Sequence, residues 1–106
     1  MKKIIIQLAP EWVMRQDRSK ALPAQAIHDD LEQNFPNNHI KKIVSDFTQI
    51  ELSVDGIESQ EELEKFLTKV FQEVTRVLAI NYSADPSAIS DICEVRIIEN
   101  VDEEDE

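Results

Sequence analysis

The chain has 106 residues, 42% hydrophobic and 31% charged, with a formal net charge of −11. That length suits one domain with a single core that needs no staples. A field of this sign repels phosphate backbones and excludes general nucleic-acid binding, and no run nears the ~18 apolar residues of a membrane span.

The charge is uneven. Residues 1–20 carry Lys2, Lys3, Arg15, Arg18 and Lys20 against Glu11 and Asp17, a local +3, so the remainder holds −14. Five of those negative charges lie in Asp102-Glu103-Glu104-Asp105-Glu106. The expectation is a single domain at 1–100 and a disordered, solubilising acidic tail at 101–106. Nucleic-acid mimicry or competition for a basic partner is the sharper reading of the same tail. Cys93 is alone and cannot close an intramolecular disulfide. Met1-Lys2-Lys3 starts like a signal peptide, but Gln7 breaks Ile4-Ile5-Ile6 at once and no cleavage site follows a useful apolar core. Together these point to a cytoplasmic protein.

Lys3 to Ala9 reads as a strand, with Ile4, Ile6 and Leu8 on one side and Lys3, Ile5 and Gln7 on the other. Pro10 ends it. Residues 10–22 fit either a short helix opened by Pro10 or an ordered loop pinned by Trp12. Ala24, Ile27, Leu31 and Phe35 fall at helical spacing and predict a helix from about Ser19 or Leu22 to Phe35, stopped by Pro36-Asn37-Asn38. From His39 to Asp55 the period becomes two: Ile50, Leu52 and Val54 alternate with Gln49, Glu51, Ser53 and Asp55. Ile40, Ile43 and Val44 form a rougher strand upstream. Ser45-Asp46 makes either a hairpin turn or a bend within one long strand.

Asp55-Gly56 turns into the stretch that dominates the pattern, Ser59 to Ile80. Leu63, Phe66, Leu67, Val70, Phe71, Val74, Val77 and Leu78 make one apolar stripe of a helix, and Ser59 with Glu62 reads as a capping box. Glu61, Glu62 and Glu64 lie at the positive end of its dipole. Asn81 and Asp85-Pro86 end the helix, with one further turn over Pro86–Ser90. A last strand then runs from Ile92 to Glu99. Cys93, Val95 and Ile97 face one way, and Ile92, Glu94, Arg96 and Ile98 the other. The order predicts an α+β fold of the ferredoxin-like split βαββαβ kind, with a four-stranded antiparallel sheet covered on one face by two helices.

The pattern speaks to fold more than to task. The uncovered sheet face should carry Ile5, Gln49, Glu51, Ile92, Arg96 and Ile98, a mixed surface suited to a second copy of the chain or another protein. Scattered Ile on a solvated sheet is the bland alternative. Arg15, Arg18 and Lys20 precede the first long helix, where free N–H groups can hold an anion. No glycine-rich phosphate loop accompanies them. His28 beside Asp29 and Asp30 is a general-base candidate, and a helix-flank histidine is more often structural. Neither His28, His39 nor Cys93 has metal-ligand spacing, and no cofactor motif is present. The open strands offer Gln49, Glu51 and Arg96 where stacked RNA bases need aromatic rings. The expected function is therefore a small non-enzymatic interaction or accessory domain that associates with itself or a protein partner, without nucleic acid or membrane. A regulatory module binding a small anion through residues 10–22 is one alternative. The other is a small enzyme with a pocket between two paired sheets, using His28 or Glu51.

Overall fold

The computed structural model describes residues 2–17, 19, 21–34 and 39–98. Strand β1 (Lys2–Leu8) leads to α1 (Pro10–Met14) and α2 (Pro23–Asn34), then to β2 (Ile40–Ser45) and β3 (Gln49–Val54). The long helix α3 (Gln60–Tyr82), a 3-10 turn (Pro86–Ala88), α4 (Ile89–Ile92) and β4 (Cys93–Ile98) follow. The result is an α+β fold with a four-stranded antiparallel sheet of order β2-β3-β1-β4.

β1 has a neighbour on each side. Ile4 and Ile6 face Leu52 and Ile50 of β3 and Ile97 and Val95 of β4. Ile4, Ile6 and Leu8 are wholly buried, and they share one core with Ala24, Ile27 and Leu31 of α2 and Leu63, Val70, Val74 and Leu78 of α3. The apolar periodicity of each helix is thus spent on the same sheet face.

α3 begins as its capping residues dictate. The Ser59 Oγ accepts the Glu62 N–H at 3.1 Å, and the Ser59 hydroxyl donates to the Glu62 carboxylate at 3.3 Å, so the box closes between side chains. It ends on Ser83, a non-glycine residue at φ 57°, where the Leu78 carbonyl accepts the N–H groups of Ser83 and Ala84. Across the helix layer, Arg76 Nη2 donates to Asp30 Oδ1 at 2.8 Å and also binds Glu73, joining α3 to α2. The hydrogen bond from Arg76 holds the Glu73 carboxyl below its ordinary value.

Some expectations are corrected, and two open alternatives, in residues 10–22 and 39–55, are settled. Among the described residues the six-element order is interrupted by α1 and by the 3-10 turn with α4. In the 10–22 stretch Pro10 does start a helix, and Trp12 meets Tyr82 edge-on at 6.1 Å between ring centres. The Tyr82 hydroxyl donates to the Ala21 carbonyl and pins the far end of the same stretch. Residues 39–55 are two strands: the Asp46 N–H reaches the Gln49 carbonyl at 2.7 Å, and the Asp46 carboxylate accepts the Phe47 N–H at 2.7 Å. Ile92 is not the first residue of the last strand but the last of α4. Before it, the Asp85 carboxylate accepts the Ser87 N–H at 3.0 Å and caps the 3-10 turn, and α4 follows from Ile89 to Ile92. Phe35, Glu99 and the acidic 101–106 tail lie outside the described residues.

Three stability outcomes follow from this packing. Ile27→Ala should cost about 2–5 kcal/mol in urea unfolding, because Ile27 is wholly buried, and Ser59→Ala about 1 kcal/mol. Glu73 binds its proton less readily folded than unfolded, so its contribution is present above its ordinary 4.5 and is lost as pH falls through the lower folded value. Arg76→Ala should therefore lower the thermal midpoint at neutral pH and lower it much less in acid.

Candidate functional site

On the sheet face away from the helices, pairing lays residues in rows across the strands. One row is Lys42, Ser53, Lys3 and Ile98, and the next is Val44, Glu51, Ile5 and Arg96. The third holds Gln49, Gln7 and Glu94. Lys3 Nζ lies 3.0 Å from Glu51 Oε2, diagonally across the β1–β3 pair. Ile5 is only 4% exposed, although it belongs to the open face. Lys3 and Gln7 flank it along the strand, and Glu51 and Arg96 lie opposite it on the neighbouring strands. The exposed aliphatics of this face are instead Val44 at 47% and Ile98 at 44%, on the two outer strands. Gln49 and Glu51 are half-buried and Arg96 is exposed, as a face residue should be. Ile92 is absent from the face: it packs half-buried against the core, and its carbonyl accepts the Ala9 N–H at 2.9 Å.

The basic group is not assembled by the described residues. Arg15 follows α1, and its Nε donates to the Glu11 carbonyl at 3.3 Å, while Arg18 and Lys20 lie outside the described residues. Nearby, Val13, Met14, Leu22, Pro23 and Phe47 line an apolar hollow of about 320 Å³. Met14, Leu22 and Phe47 are all exposed there, a convergence of the 10–22 stretch with the β2–β3 turn. Nothing in the linear pattern announces it, because Phe47 is brought in by the hairpin.

The histidines take two different jobs. His28 Nδ1 lies 2.9 Å from Ser45 Oγ, and its Nε2 lies 3.4 Å from Glu32 Oε2. With Nε2–H directed at Glu32, Nδ1 accepts the Ser45 hydroxyl, so α2 is stitched to β2 by a serine–histidine–glutamate chain. The His28–Glu32 spacing of four is visible in the sequence, whereas Ser45 comes from another strand and is not. His39 Nδ1–H donates to the Asp55 carbonyl at 3.1 Å, and the ring meets Phe66 edge-on at 6.0 Å. A Cβ on Gly56, which adopts φ +82°, would approach the His39 Nδ1 to 3.2 Å. His39 is thus part of the turn that launches α3, and Gly56 is the residue that turn requires.

Cys93 is buried, and burial, with the Glu94 charge as a lesser cause, pushes its thiol up to about 12. Among the described residues, no group of three His, Cys, Asp or Glu side chains is placed to hold a metal ion. No described helix is long and apolar enough to cross a membrane.

β4 is the outermost strand on its side, and its inward-facing Val95 and Ile97 remain half-buried. Between β4 and α3, Leu67, Thr68, Phe71, Gln72 and Val95 line an open groove of about 520 Å³. The helix layer therefore leaves the fourth strand incompletely covered.

Protein families, curated proteins and solved structures offer no match to this chain.

A thiol reagent such as Ellman's should leave Cys93 largely unmodified in the native protein at pH 8 and react fully once denaturant is added. Fast native labelling would mean that the end of the sheet at Cys93 opens readily.

Proposed function

We propose that this chain is a small, non-enzymatic protein-interaction or accessory domain that associates with itself. Its arrangement reads as ferredoxin-like, with α1, the 3-10 turn and α4 as additions to a split βαββαβ pattern. The observation that carries the reading is the unfinished side of the sheet. Val95 and Ile97 are half-buried under α3 on one face, and Ile98 is exposed on the other. Aliphatic surface gathered along one outer strand favours a protein partner over solvent. The open face around Lys3, Glu51 and Arg96 adds charge that orders such a contact more than it strengthens it. The lone, buried Cys93 fits a reducing, cytoplasmic setting.

A second reading has one specific support, the Ser45–His28–Glu32 chain, which resembles the nucleophile–base–acid order of acyl-transfer enzymes. Its acid, Glu32, is exposed to solvent rather than buried. Hydrolysis of an activated ester that disappears in Ser45→Ala would favour it. The interaction reading expects equal, background rates for both proteins.

The deciding measurement is the solution mass by sedimentation equilibrium at low and high salt. The expected outcome is a dimer that persists or tightens in high salt, since salt screens the mutual repulsion of two chains of charge −11. A monomer at every concentration would overturn the reading.

A further inference from the structure

The two edges of the sheet are treated differently. At β2 the pairing slips between Ile40 and Lys42, and the bulge and strand present Lys41 and Lys42, both exposed. Bulges and lysines are how proteins prevent strangers from adding to an edge. β4 pairs regularly with β1 from Ile98 to Cys93 and has neither device. Its backbone also points the right way. The Ala9 N–H donates to the Ile92 carbonyl, so alternation turns the amide groups of Glu94 and Arg96 toward β1 and those of Val95 and Ile97 outward.

We infer that a second copy of this chain joins at β4, antiparallel, with the two-fold axis at Val95, giving one continuous eight-stranded sheet. The inference rests on the self-association proposed above, and not on stacking of the open faces. Charge selects the register. With Val95 opposite its own counterpart, Glu94 of each copy faces Arg96 of the other, twice over, on the open face. Moving the pairing by one step in either direction that keeps sides matched sets Glu94 against Glu94 or Arg96 against Arg96. Like charges directly opposite destabilise a strand pair, so both alternatives are disfavoured. On the helix side the same register lays Val95 on Val95 and Cys93 by Ile97, next to the groove of Leu67 and Phe71. The outward amide groups of Val95 and Ile97 gain partners in the same step, and the half-buried aliphatics gain cover.

The test is sedimentation equilibrium on the full chain at physiological ionic strength with charge reversals. Glu94→Arg sets guanidinium against guanidinium at both contacts and Arg96→Glu sets carboxylate against carboxylate, so each should weaken dimerisation about tenfold or more. The double variant Glu94→Arg/Arg96→Glu should restore it, and an equimolar mixture of the two single variants should form the mixed dimer. Val44→Asp, on the opposite edge strand, should leave the dimer unchanged. A wild-type dimer indifferent to both reversals, or weakened by them without rescue in the double variant, would overturn the β4 register while leaving self-association standing. Loss of that dimer in Val44→Asp alone would move the contact to the open face. A wild-type monomer would overturn this inference and the self-association reading together.

Discussion

The structure depends on one strand being shut from water on the helix-facing side. Ile4, Ile6 and Leu8 of β1 are wholly buried, and β1 is also the strand through which β3 and β4 are connected. Removing the apolar cover from β1 would open the centre of the core that α2 and α3 share with β1 and β3. Burial on this scale is non-directional, so it decides that the layers pack but not how they are aligned. Alignment comes from a few polar ties. His28 fixes α2 to β2 through Ser45, and Arg76 fixes α3 to α2 through Asp30.

Those ties explain why the conspicuous chemical side chains do structural work. His39 holds the turn before α3, with Asp55 and Gly56 as its immediate surroundings. Cys93 belongs to the core cluster. A buried thiol raised this far is mostly protonated at neutral pH and is a poor nucleophile. Exposed apolar side chains lie elsewhere: Val44 and Ile98 on the outer strands, Met14, Leu22 and Phe47 beside the β2–β3 turn, and Ile80 on α3.

Much of the fold was legible because it rests on periodicity. The stripe from Leu63 to Leu78 marks α3, and Ser59 with Glu62 marks where it starts; the structure extends its end only to Tyr82. The alternation of Ile50, Leu52 and Val54 likewise places β3. What was not legible depends on contacts distant in sequence. Ile92 alternates correctly with Glu94 and Arg96, yet it closes α4, the short helix that follows the Asp85-capped 3-10 turn. Ile5 has the alternation of an open-face residue and almost none of its exposure, at the middle of a row with neighbours on both sides. The Ser45 partner of His28 and the meeting of Phe47 with Met14 and Leu22 are likewise products of the hairpin.

The contact between Trp12 and Tyr82 gives the chain a property of a different kind. The protein has one tryptophan and one tyrosine, and they touch edge to face at 6.1 Å. Its near-ultraviolet absorption and emission therefore report on a single joint, where α1 folds against the end of α3. Light absorbed by Tyr82 passes to Trp12 most efficiently while that joint is closed. Spectroscopy on the unlabelled protein thus watches the first crossover of the chain rather than the molecule at large, so a loosened α1 can be told apart from an unfolded sheet.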